Sequence, residues 1–122
     1  MDVYELIEEN QHLIDDIPPI KLGDYHDDPI RFLELESWKQ AHLVNWILQR
    51  LVPGTKINTS RSSYSLKHYF SDDIDGFYIN NGAFKGAMLI SGFSVKNESS
   101  QNWYFNITKS SMKDLNKKFV TV

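Results

Sequence analysis

The stretch SSYSLKHYFSDDIDGFYINNGAFKGAMLISGF, residues 62–93, decides how this chain folds. Ser62 or Ser63 can cap a helix through Tyr64, Leu66, Lys67, His68, Tyr69 and Phe70, because a hydroxyl there accepts from an otherwise unpaired helix N–H. Asp72-Asp73-Ile74-Asp75-Gly76 closes that helix with a turn, and Phe77-Tyr78-Ile79 is a short extended piece. Asn80 or Asn81 then caps a second helix containing Ala83, Phe84, Ala87, Met88, Leu89 and Ile90. Gly92 stands where a left-handed residue ends a helix. Gly82 and Gly86, four apart, bare one stripe of the second helix, so another backbone can come close.

Working outward toward the C-terminus, Phe93-Ser94-Val95-Lys96 and Trp103-Tyr104-Phe105-Asn106-Ile107-Thr108 are strand-like, and the polar Asn97-Glu98-Ser99-Ser100-Gln101-Asn102 joins them as a hairpin loop. Helix, turn, helix and hairpin is the element order of a winged helix. The expected fold is therefore α+β, mainly helical with a C-terminal β-hairpin. In that arrangement the second helix carries the contacts to a groove and is anchored by its apolar face. Asn80, Asn81 and Lys85 are then expected on its exposed start, since Asn can pair with adenine and Lys can reach guanine or phosphate. Arg61, Lys67 and Lys96 are expected on the nucleic-acid backbone. A basic tail, Lys109 to Val122, reads as a last short helix through Met112, Leu115 and Phe119 or as a partly frayed end.

Toward the N-terminus, residues 55–62 are polar and read as a loop after the stop at Pro53-Gly54. Before it, Pro29 to Val52 carries apolar residues on nearly all sides, which predicts a central, buried helix with Ser37 and Gln40 as a capping pair. The piece Ile30-Arg31-Phe32-Leu33-Glu34-Leu35 is ambiguous between helix and strand, because Asp28-Pro29 favours a helix start and the alternation favours a strand. Residues 17–29 form a Pro-, Gly- and Asp-rich connector. Asp2 to Ile14 spaces Val3, Leu6, Ile7, Leu13 and Ile14 as a short amphipathic helix, with Asp2 as its cap.

The whole is one domain of 122 residues in three parts: an acidic helical part (1–53), a winged-helix-like part (54–108) and a basic tail (109–122). Hydrophobic residues at 41% and charged residues at 24% are globular values. Residues 1–53 carry a formal charge of −7 and residues 54–122 one of +4. That asymmetry suits an anionic partner for the basic half, or attraction between the halves. With no cysteine, disulfides, thiolate metal sites and cysteine nucleophiles are excluded. No apolar run is long enough for a bilayer, and the start lacks the basic residues of a signal peptide, so no membrane partner and a cytoplasmic location are expected.

Catalytic and cofactor motifs are absent from the sequence. His12, His26, His42 and His68 have no paired metal spacing. Asp73-Ile74-Asp75-Gly76 matches part of a calcium loop, but the place of the bidentate Glu falls at Gly82. Lys67-His68 beside Ser63 or Ser65 lacks an orienting acid. No phosphate-cradling glycine loop is present. The expectation is no enzyme, no cofactor and no metal.

The run Ser62-Ser63-Tyr64-Ser65-Leu66-Lys67-His68, with Tyr78-Ile79-Asn80-Asn81-Gly82-Ala83-Phe84-Lys85-Gly86-Ala87-Met88 and Gly92-Phe93, resembles a recurring segment in small, functionally unassigned proteins of phages, prophages and other mobile elements. The resemblance spans residues 62–106. It implies a mobile-element setting and brings no catalytic residues with it. Two functions are therefore expected: a winged-helix-like nucleic-acid-binding protein, or a protein-interaction module acting on a host or phage complex. A homodimer through the Trp38/Trp46 helix is a further expectation.

Overall fold

In the computed structural model, which describes residues 2–18 and 25–120, everything is arranged around one short helix. In chain order the elements are α1 (Val3–Asn10), α2 (His12–Asp15), two 3-10 turns (Tyr25–Asp27 and Pro29–Glu34), α3 (Ser37–Arg50), β1 (Pro53–Asn58), α4 (Ser63–Asp72), α5 (Asn81–Ile90), β2 (Phe105–Ile107) and α6 (Lys109–Val120). The fold is mainly helical α+β. Part of the connector expected at 17–29, and the side chain of Phe119, lie outside the described residues.

Local chemistry explains most boundaries. Asp2, Ser62 and Asn80 each accept a bond from the backbone N–H three residues on, and so start α1, α4 and α5. Asp28 accepts from the N–H of Ile30, and Pro29 opens the second 3-10 turn, which settles residues 30–34 as helical and leaves Leu35 extended as its cap. Gly92 takes φ +94° just after α5, where only glycine is unstrained. The Ser37–Gln40 capping pair does not form. Gln40 instead donates to the carbonyls of Phe32 and Leu35, fastening the 3-10 turn to α3.

The core runs from Ile7 to Leu115 and includes Phe32, Leu43, Phe70, Phe84, Met88, Trp103 and Phe105. Every residue of α5 is buried, whereas α3 leaves Trp38 and Leu48 half-exposed. The central helix is therefore α5 and not α3. Its small residues explain why. A Cβ on Gly82 would sit 2.1 Å from the carbonyl oxygen of Asp28, and one on Gly86 would sit 2.5 Å from that of Pro29. The close backbone approach expected from the glycine stripe is made by the second 3-10 turn.

Residues 55–58, the first part of the expected loop, join Pro53-Gly54 in the edge strand β1 antiparallel to β2, with Pro53 opposite Ile107, Asn58 opposite Phe105 and an irregular register between. On the other side of β2, Val95 bridges Phe105, Lys96 N–H donates to Tyr104 O, and Asn106 N–H donates to Ser94 O. Of the expected hairpin, one arm is the strand β2, and the other, residues 94–96, is no strand and meets it through a single isolated bridge, so β2 lies between β1 and those residues.

Candidate interaction face

The six residues expected to touch nucleic acid have different fates. Asn80 spends its side chain capping α5, where it accepts from Ala83 N–H at 2.8 Å. Asn81 is buried and donates its amide to Asp27 Oδ1 (2.9 Å), Gln101 O (3.0 Å) and Asn102 Oδ1 (3.0 Å). Lys85 is fully buried, and its ammonium donates to Asp27 O (2.7 Å) and Gln101 O (2.9 Å), more weakly to Ser100 O (3.4 Å), and lies 4.4 Å from the centre of the Trp103 ring. These two side chains cannot reach a groove. The physical reason is the glycine stripe: the backbone that Gly82 and Gly86 admit also covers the neighbouring Asn81 and Lys85.

A buried ammonium is tolerable only when its donors are satisfied. Here backbone carbonyls of the first 3-10 turn and of the hairpin loop do so, which ties both segments to α5. Burial nevertheless pushes the Lys85 pKa down to about 8, against the opposing pull of Asp27 and Asp28. One signal of this role stands in the sequence. A lysine inside Gly-Ala-Phe-Lys-Gly-Ala-Met-Leu-Ile has no polar face to sit on.

Arg61 is half-buried and also used internally: Nε donates to Asn116 Oδ1 at 3.0 Å, and the guanidinium stacks over Tyr69. Lys96 is exposed beside the hairpin loop. Lys67 differs from all of these. Lys67 as a whole is only 5% exposed, and its ammonium lies beneath two exposed rings, 5.2 Å from the centre of Tyr64 and 5.3 Å from that of Tyr78. Burial lowers its pKa, and Asp72 works against that shift.

Around Lys67 lies a continuous aromatic face. Tyr64 is 54% exposed and Tyr78 is 78% exposed. His68 packs edge-on against Tyr64 with ring centres 4.9 Å apart. Phe77 turns the other way, into Phe70, His42 and Trp38, and so anchors the extended segment that displays Tyr78. α4 supplies Tyr64, Lys67 and His68 at the helical spacing of three and four that brings side chains together. The sequence contains these residues, but Tyr64 and Tyr78 are fourteen apart, and only the turn at 73–76 returns the chain to α4.

Among the described residues no group of His, Asp or Glu could hold a metal ion. No described helix is long and apolar enough to cross a membrane. No protein-family model, no curated protein and no solved structure matches the chain.

Proposed function

We propose that this chain is a non-catalytic protein-interaction module on a winged-helix-like scaffold, docking a partner protein through Tyr64, Lys67 and Tyr78. The scaffold is supported by the order α3–β1–α4–α5–hairpin, with β2 lying between β1 and residues 94–96. In a duplex reader of that order the helix corresponding to α5 faces the groove. Here α5 is enclosed, and its outward stripe is made of glycines fitted to the 3-10 turn.

The observation that carries the proposal is the Lys67 ammonium held between two exposed tyrosine rings. Tyr offers large contact area with few rotors to freeze, and it is enriched where interfaces gain most of their energy. The mobile-element setting implied by the resemblance suits a host or phage protein as the partner.

The test is a partner isolated with the intact chain, identified, and then titrated by calorimetry against Tyr64→Ala, Tyr78→Ala and Lys67→Met. Each substitution is expected to weaken binding about tenfold or more, as truncation of an interface anchor does. Unchanged affinity in all three variants would overturn the proposal. So would steeply salt-dependent binding of a labelled duplex or single strand in fluorescence anisotropy, the mark of phosphate contacts.

A further inference from the structure

Ile74 is the most exposed large hydrophobic residue among those described, at 94%, and it is held out by a stiff loop. Gly76 N–H donates to Asp73 O at 2.9 Å, and Asp73 N–H donates to Phe70 O at 3.2 Å. A Cβ on Gly76 would lie 1.9 Å from Phe70 O, so the turn closes only on glycine. Asp73 uses one carboxylate oxygen to accept from its neighbour, Ile74 N–H, at 2.9 Å. The other oxygen accepts from Trp46 Nε1 at 2.8 Å and pairs with Arg50 at 3.0 Å. With the backbone fixed this way, little ordering entropy remains to be lost when Ile74 is covered. Asp72 and Asp75, both exposed, flank it. The loop is an apolar tip between two carboxylates.

The complement of that tip lies elsewhere on the same chain. β1 and the residues after it border an open groove of about 760 Å³ with β2's end and the start of α6. Its accessible apolar lining is the half-buried Ile57, above the core residue Ile107, its charged lining is Lys56 and Lys109, and no acidic residue contributes to it. α6 begins at Lys109, so the positive end of its backbone dipole adds to the two ammonium groups. Lys56 also guards the free edge of β1 against open-ended strand pairing, which favours side-chain docking there over strand addition.

We propose that the groove takes the Ile74 loop of a second copy of this chain, with Ile74 seated against Ile57 and with Asp72 and Asp75 facing Lys56 and Lys109. The contact joins unlike surfaces, a tip and a groove, and uses neither Tyr64 nor Tyr78, although Asp72 also borders their face.

Sedimentation velocity on the full chain tests it. The mass is expected to rise with concentration at low salt and to fall back as salt screens the carboxylate–ammonium pairs. Ile74→Ser, and separately Lys56→Glu with Lys109→Glu, alter exposed residues only, and circular dichroism checks that both variants fold. Each is expected to weaken self-association at least tenfold. Mixed one to one, they are expected to form a pair, because a tip-defective chain still has its groove and a groove-defective chain still has its tip. Tyr78→Ala is expected to associate as the parent does, so the two proposals fail separately. A parent chain that stays monomeric up to millimolar concentration would overturn the inference. So would variants that associate undiminished, or a mixture that forms no pair.

Discussion

α4 and α5 invite comparison because they start alike and end up in opposite roles. Each has ten residues, each opens on a side-chain cap, and each places a lysine mid-helix with an aromatic ring near its ammonium. α5 carries glycine or alanine at four of its first seven positions and is enclosed on every side. α4 carries Tyr64, His68 and Asp72 on a stripe that stays exposed. Side-chain size along the helix decides the difference, since small residues let backbones close in and leave no open face. Lys85 accordingly becomes an internal fastener of backbone carbonyls, while Lys67 lies just beneath the surface against the two exposed rings.

The comparison breaks most sharply at the glycines. Gly86→Ala and Gly82→Ala would each gain helix propensity, but the new methyl must enter space held by backbone of the 3-10 turn. Backbone cannot step aside as a flexible side chain can. We expect a net loss of about 3 kcal/mol or failure to fold, read as a lower urea midpoint. A variant as stable as the parent would mean that the 3-10 turn is not seated on α5.

Lys85→Met comes next. It leaves the carbonyls of Asp27 and Gln101 without their ammonium donor in a dry site, at an expected cost of about 2 kcal/mol in stability. The pH dependence sharpens the point. The folded pKa of Lys85, about 8, is below its ordinary value of 10.5, so between these values the unfolded chain binds more protons. The cost of keeping Lys85 charged is present in full below about pH 8 and is relieved as pH rises toward 10.5, so stability rises across that window. The stability gap between the parent and Lys85→Met should therefore widen from pH 7 to pH 9.5 in paired urea titrations. A gap that narrows would show that Lys85 is not the buried group.

Much of this architecture was legible in the sequence. The caps at Asp2, Ser62 and Asn80, the C-terminal Gly92 and the close approach at Gly82 and Gly86 all follow from rules that act within a few residues. β1 was not legible, because Pro-Gly-Thr-Lys-Ile-Asn is an edge strand without inside–outside alternation, and its pairing partner lies some fifty residues away. The site was the least legible part. Polar residues were expected outside, and Asn81 and Lys85 are inside, because their partners Asp27 and Gln101 come from opposite ends of the chain. The aromatic face was hidden for the same reason: a turn, not a helical repeat, brings Tyr78 beside Lys67.

At the surface the expected effects on stability shrink. Lys67→Met removes two cation–ring contacts of a largely covered ammonium, for which about 1 kcal/mol is the scale. The same change leaves no carbonyl stranded, which is the physical contrast with Lys85.

Tyr78→Ala should cost least. At 78% exposure its ring buries little that folding would miss, so the urea midpoint should move by no more than about 0.5 kcal/mol in free energy. Its neighbour Phe77 carries the packing, through Phe70 at 5.0 Å and Trp38 at 5.8 Å, and Phe77→Ala serves as the control that does destabilise. A ring that the fold does not need, held in place by a lysine, is explained if a partner needs it. Should Tyr78→Ala instead unfold the chain as readily as Phe77→Ala, the ring belongs to the core and the contrast between α4 and α5 disappears.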